Sequence, residues 1–238
     1  LNKRFISASL WEQGKRVENE DSIAVMNITA DRHPLIMAVV ADGIGGLNRG
    51  EVASSMVTYS LKTAFEQATR HYRCLNLRSL RSTMLRELYK CHLNLVSLGE
   101  REGIKLGTTL SLIVLMGKRG FLISVGDSHI YRINGEGRDN SLLTRDYVSN
   151  NRLTRCIGTG EYYRPQTKKI RIKDGMYYLL CTDGFYRRNT IELLTVDSET
   201  VSIYSMDAWL KRMHNRAVSR GEKDNSSAVI IGITGLNS

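Results

Sequence analysis

The stretch LIMAVVADG, residues 35–43, sets seven apolar residues in a row and stops at Asp42-Gly43. A run this short, closed by turn residues, reads as a strand buried on both faces. It is far too short to cross a bilayer, and so is the second such run, LSLIVLM at 110–116. LLCTDG, residues 179–184, repeats the design: an apolar strand brings an aspartate, Asp183, to its tip, and a glycine follows.

Working outward, strand-like patterning covers Arg4–Leu10, Ser22–Ile28, Thr108–Met116, Gly120–Val125, His129–Ile133, Lys168–Ile172, Met176–Cys181 and Ala228–Thr234. Leu142-Leu143 reads as a further short strand, Gly117–Gly120 as a hairpin turn, and Lys173-Asp174-Gly175 as a turn. The period changes between Glu51 and Arg70, where Ala53, Val57, Leu61, Ala64, Phe65 and Ala68 recur at helical spacing. Leu77 to Leu98 does the same, and shorter helical patterns cover Thr190–Leu194 and Met206 to Ser219. Few strand–helix–strand alternations occur, which argues against a doubly wound parallel sheet. The expected fold class is α+β, a β-sandwich of two antiparallel sheets flanked by helices, in a single domain over residues 1–238.

The chain has 238 residues, 42% of them hydrophobic and 24% charged, an ordinary balance for a globular protein with a sizeable core. The formal net charge of +10 suits a partner that carries phosphate or acidic groups, although a basic surface without a single purpose gives the same figure. Lys and Arg are scattered, which argues against a dedicated nucleic-acid arm. The four cysteines, Cys74, Cys91, Cys156 and Cys181, form no C-x-x-C pair and no zinc spacing. Reduced thiols and a cytoplasmic location follow as the expectation, with no signal peptide and no membrane segment. The chain begins with Leu1, which leaves room for sequence upstream.

The chemistry lies in the acids. Asp42 precedes Gly43, Gly45, Gly46 and Gly50, a spacing that is neither a P-loop nor a dinucleotide-binding turn. Glu20-Asp21, Asp127 and Asp224 also follow apolar or glycine-rich contexts. Gathered at strand ends, these carboxylates would repel one another unless cations neutralised them, and hard oxygen ligands select Mg²⁺ or Mn²⁺. Separate surface turns are the other reading, and spacing alone leaves both open.

RVENED (16–21), VADGIGGLNRGE (40–51), GTTLSLIV (107–114), VGDSHIYRI (125–133), LTRD (143–146), LTRCIG (153–158), LLCTDG (179–184) and DNSSAVIIGI (224–233) stand in the order found in the PPM-type protein phosphatase 2C family. By this resemblance the chain is similar to the bacterial members over nearly its whole length. The resemblance implies an α-β-β-α sandwich and a metal-dependent phosphoprotein phosphatase acting on phosphoserine and phosphothreonine. Two Mn²⁺ or Mg²⁺ ions would be bridged by Asp42 and by the attacking hydroxide. The Gly43 carbonyl would bind one ion, and Asp183 and Asp224 the other. Glu20, and more loosely Asp21, would hold metal-bound waters. Arg16 would contact the substrate phosphate, and Asp127 would hold a third, weaker ion. The implied partners are a phosphorylated protein substrate and an opposing Ser/Thr kinase, with no nucleic acid and a monomeric state.

Departures from the family pattern also stand in the sequence. Ile44 takes the place of a histidine proposed in some members to protonate the leaving group. His129 follows Gly-Asp-Ser where arginine is usual, and is expected to be structural. Tyr147 replaces a frequent histidine. LTRDYVSNNRLTRCIG (143–158) lacks the flap insertion, which is expected to leave the site more open and makes Asp146 the nearest remaining candidate for a flap ligand. These departures motivate the alternative of a catalytically weak or inactive phosphoprotein-binding regulatory module. A nucleic-acid binder is disfavoured by the lack of a stacking motif or recognition helix.

Overall fold

A computed structural model describes residues 4–30, 33–44, 49–70, 75–134, 140–149, 152–173, 175–190 and 202–234. Twelve strands are named along it: β1 (Arg4–Glu12), β2 (Asp21–Ala30), β3 (His33–Asp42), β4 (Leu110–Met116), β5 (Arg119–Val125), β6 (His129–Asn134), β7 (Ser141–Leu142), β8 (Val148–Ser149), β9 (Arg152–Leu153), β10 (Gln166–Arg171), β11 (Met176–Cys181) and β12 (Ser226–Thr234). The helices are α1 (Gly50–Arg70), α2 (Leu77–Glu102), α3 (Asp183–Tyr186) and α4 (Ile203–Ser219).

The strands form two five-stranded antiparallel sheets, ordered β1-β12-β11-β6-β7 and β10-β5-β4-β3-β2, with β8 and β9 paired apart. The apolar runs find their reason here. Successive side chains of a strand point to opposite faces. Ile36, Ala38 and Val40 of β3 pack inward with Ile113, Leu122, Ile130, Leu180 and Val229 between the two sheets. Leu35, Met37 and Val39 of the same strand pack outward against Val57, Leu61 and Phe65 of α1 and Leu88 of α2. A strand covered on both faces has no polar side, so its sequence does not alternate. The other sheet is covered by Trp209, Leu210 and Met213 of α4. The layers are thus helices, sheet, sheet, helix, as the resemblance implied.

Local signals fix the ends of the elements. The Asn76 side chain accepts a hydrogen bond of 2.8 Å from the Ser79 N–H and caps α2, and Gly103 at φ 66° closes it. The β4–β5 turn is Gly117-Lys118, with Gly117 at φ 56°, in line with the expected hairpin.

Several expectations shift. β4 begins at Leu110, not Thr108, because Thr108 is taken up in isolated bridges to Gly43 and Ile157. Asp183 is not a simple turn residue but the first residue of α3. Residues 148–153 hold the small β8–β9 pair, which periodicity cannot reveal in strands of two residues. Ile191–Leu194 of the expected helix, Gly45, Gly46, Asp174 and Cys74 lie outside the described residues. Among the described cysteines, Cys91 and Cys181 are buried, Cys156 is half-buried, and all three are free thiols. Among the described residues no helix is long and apolar enough to cross a membrane.

The outer layer is therefore integral to the core. Phe65 is fully buried between α1 and the sheet, and Phe65→Ala is expected to cost about 3–5 kcal/mol in urea denaturation.

Candidate metal centre

One end of the sandwich gathers the strand termini. β3 ends at Asp42, β2 begins at Asp21 directly across from it, β11 leads into Asp183, and β12 follows Asp224-Asn225. A cavity of about 360 Å³ opens there, lined by Arg16, Glu20, Asp42, Gly43, Ile44, Thr109, Asp127, Leu153, Asp183, Arg187, Asp224 and Asn225. Seven of the eight residues singled out from the sequence line it. The eighth, Asp21, is 4% exposed and sits behind the cavity.

Each acid is held by its backbone. The Asp42 N–H donates to Thr109 Oγ1 at 2.9 Å, while its carbonyl accepts from Thr108 Oγ1 and the Thr109 N–H, each at 2.9 Å. The Gly43 N–H donates to the Glu20 carbonyl at 3.1 Å. A side chain at Gly43 would run into the Gly50 carbonyl, and one at Gly184 into the Asn225 carbonyl. Glycine is demanded at both Asp-Gly steps by close backbone approach. Asn225 knits the opposite wall: its Nδ2 donates to the Gln13 and Glu18 carbonyls at 2.8 and 3.0 Å, and its Oδ1 accepts from the Glu20 N–H at 3.0 Å.

The acids strain one another electrostatically. Burial, then the charges of Asp21, Asp183, Asp127 and Asp224, hold the Asp42 carboxyl well above the usual carboxylate range. Burial pushes Asp21 up to about 7, against the nearby Ser227 hydroxyl and the hydrogen bond from Thr182. Burial likewise lifts Asp183 to about 6, opposed by Arg187. Glu20 and Asp127 are raised by burial as well. Asp21 Oδ2 accepts from Thr182 Oγ1 at 3.0 Å, and its Oδ1 is buried with no protein partner. Carboxylates raised in this way favour either a proton or a cation, and the donor set is all oxygen.

Two arginines already answer part of this charge. Arg16 grips Asp224 with two hydrogen bonds, Nε to Oδ1 at 2.8 Å and Nη2 to Oδ2 at 2.9 Å. Arg187, one helical turn after Asp183, bonds Asp183 and stands 3.7 Å from Asp224 Oδ2. Among the described residues no three acidic, histidine or cysteine side chains form a ready-made coordination group. An ion entering the cavity must therefore compete with Arg16 and Arg187 for carboxylate oxygens. Arg187, Asn225 and Thr109 were not singled out from the sequence. For Arg187 the signal was its i, i+4 spacing from Asp183, visible only once Asp183 is known to open a helix.

His129 lies off the cavity. Its Nε2 pairs with Asp146 Oδ1 at 2.8 Å, its Nδ1 with the Tyr131 hydroxyl at 2.7 Å, and its ring stacks on Tyr186 at 3.8 Å. Burial lowers its pKa, and the neighbouring Asp146 carboxylate opposes that shift. That is a structural histidine, and Asp146 is its partner, not part of the cavity lining. Ile44 lines the cavity without a titratable group. In the shortened segment Leu153 still forms part of the cavity wall, and Arg155 sits 4.5 and 4.9 Å from the ring centres of Tyr147 and Tyr163.

The sequence model of the family described as Protein phosphatase 2C matches residues 13–227. The chain belongs to the protein phosphatase 2C family. Among its relatives in that family, protein phosphatase PhpP of Streptococcus pneumoniae is 23% identical over 239 residues, covering 92% of this chain and 93% of the relative. The fold matches the crystal structure of serine/threonine phosphatase Stp1 from Staphylococcus aureus, with a TM-score of 0.80, 22% identity, and 99% and 97% of the two chains covered. It also matches the catalytic domain of serine threonine protein phosphatase PstP, solved in complex with two manganese ions, with a TM-score of 0.76, 21% identity, and 98% and 100% coverage.

Because Asp21 titrates near 7 in the folded metal-free chain and near 4 when unfolded, the folded state holds the extra proton across that window. Its favourable contribution is present below about pH 4 and lost as pH rises through about 7. Asp21→Asn should therefore stabilise the fold in EDTA at pH 8, by on the order of 2 kcal/mol, and by less at pH 5. Thermal scans at the two pH values check this.

Proposed function

We propose that the chain is a phosphoprotein phosphatase, one catalytic domain over residues 1–238, that hydrolyses phosphoserine and phosphothreonine esters with two Mn²⁺ or Mg²⁺ ions. The observation that carries this reading is the convergence of Asp42, Asp127, Asp183 and Asp224 on one cavity, with the carboxyl groups of Asp42, Asp127 and Asp183 held above their ordinary range. All of them are hard oxygen donors, and their mutual repulsion is what a divalent cation would relieve.

Asp42, the Gly43 carbonyl, Asp183 and Asp224 would hold the ions, with Glu20 and Asp21 orienting their waters and Asp127 serving a third. The ions, when bound, would supply a hydroxide nucleophile at neutral pH and neutralise the phosphate oxygens. Arg16, freed from Asp224, would clamp the phosphate through paired hydrogen bonds. The Thr109 and Asn225 networks hold the two walls in place, so little reorganisation accompanies the reaction. Among the described residues, the cavity wall carries no histidine to protonate the leaving group. In the cell this reading opposes a Ser/Thr kinase, with the chain acting as a cytoplasmic monomer.

A second reading, a weakly active or inactive phosphoprotein-binding module, is favoured by one observation: Arg187 rests on two of the aspartates that an ion would need. The two readings separate on measurement. Wild-type protein should release phosphate from a phosphothreonine peptide with Mn²⁺ and none in EDTA. Asp42→Ala and Asp183→Asn should each lower the rate by more than ~100-fold. Peptide binding without metal-dependent release by the wild type would leave the binding module.

Arg187→Gln removes a competing cation, so Mn²⁺ should bind about 3- to 10-fold more tightly by calorimetry, the equivalent of roughly 1 kcal/mol for a partly exposed pair. Weaker binding would mean that Arg187 positions the ligands.

A further inference from the structure

The net charge of +10 is not accounted for by the carboxylate cavity. Much of it gathers at the far end of the same sheet. A groove of about 1060 Å³ lies between the start of α2, the β4–β5 hairpin and β10. Val125 and Leu110 mark the cavity end of the β4–β5 pair, and Met116 and Arg119 the groove end. Seven residues of strand separate the two ends by about 20 Å.

Arg78 and Arg81 of α2, Lys118 and Arg119 of the hairpin, and Lys169 and Arg171 of β10 line this groove, and among the described residues no acidic one does. None of the six is in an ion pair among the described residues. Two of them stand opposed within the sheet, since Arg119 and Arg171 face each other across β5 and β10. Like charges directly opposite in an antiparallel pair destabilise it. The fold does not need that arrangement, whereas an anion in the groove would relieve it. Lysine on an edge strand also guards against strand addition, and β10 is an edge. That guard would explain Lys169 but not the arginines on α2 and the hairpin.

The lining also narrows the occupant. Leu75, Leu77 and Met116, each half-buried, contribute an apolar share alongside the cations. Phe121 is 2% exposed, so it offers no ring face for a base to stack on. The N-terminal N–H of α2 at Ser79 is already bonded to Asn76, so the positive character comes from side chains rather than from a free helix end. A mixed apolar and cationic groove without a stacking platform suits a polypeptide better than a nucleic acid. We propose that this groove docks an acidic polypeptide segment, about six extended residues with carboxylates interleaved with apolar side chains. Its binding is separate from the chemistry at the carboxylate cavity and needs no metal.

The test uses the full chain in EDTA and a fluorescein-labelled ten-residue peptide of Glu and Asp with two leucines, read by fluorescence anisotropy. Wild-type protein should bind it with an affinity that falls as salt rises. The double variants Arg78→Glu/Arg119→Glu and Lys118→Glu/Lys169→Glu should each weaken binding at least tenfold. Arg212→Glu/Arg216→Glu on α4 makes the same change in net charge elsewhere and should leave binding within twofold. Thermal melts verify folding, and glutamine versions of the groove variants, expected to weaken binding at least threefold, replace any glutamate variant that fails to fold. Equal weakening by the α4 pair would reduce the effect to bulk charge and overturn the proposal. So would loss of binding in Arg16→Ala/Arg187→Ala but not in the groove variants, which would place the peptide in the carboxylate cavity. Tighter binding of a single-stranded oligonucleotide of equal charge than of the peptide would also overturn it, as would no binding at all.

Discussion

Asp21 and Asp42 face each other across β2 and β3, both largely withdrawn from water, and that juxtaposition governs the end of the sandwich where it occurs. Two carboxylates this close in a region of low polarity cannot both ionise cheaply. Asp127, Asp183 and Asp224 add to the same repulsion. The surroundings answer it with whatever positive or donating groups they have: the Thr182 hydroxyl on Asp21, the Arg16 guanidinium on Asp224, and Arg187 on Asp183. None of these removes the conflict, as the raised carboxyl groups of Asp21, Asp42 and Asp183 attest.

The rest of the fold makes that concentration of charge tolerable. β3 is covered on both faces, so its backbone is fixed by two cores at once, and its last residue is placed with little freedom. Close backbone contact at Gly43 and Gly184 excludes any larger side chain, and Asn225 ties the Arg16–Glu20 segment to the start of β12. A stiff scaffold carrying a destabilised set of acids is the arrangement expected where binding a cation offsets the cost of assembling the site.

Charge is distributed unevenly over the molecule. One end of the β4–β5 pair meets the acidic cavity, where arginines are matched to aspartates, and the other meets a groove whose arginines and lysines have no acid beside them among the described residues. The same sheet thus presents two surfaces of opposite electrostatic character about 20 Å apart. Ile44 and His129 form no ion pair with the acids and arginines that line the cavity. Ile44 brings no proton, and His129 is spent on Tyr131, Asp146 and Tyr186, which braces the loop after Asp127.

By itself the sequence determined the fold class, the strands that form both sheets and the two long helices, because apolar periodicity records how many faces of an element are buried. It also determined which acids stand at strand ends, since an apolar run that stops at Asp-Gly marks its own terminus. Ordered motifs placed the chain in its family. Tertiary structure alone decided that Asp21 lies behind the cavity while Asp42 opens into it, because two residues facing each other across a pair of strands look alike in sequence. It decided that Asp183 begins a helix, which brings Arg187 onto the acids, and that Asp146 belongs to His129. It also drew Arg78, Arg119 and Arg171 together from three elements. Such contacts depend on where separate strands and helices meet, and no local pattern carries that information.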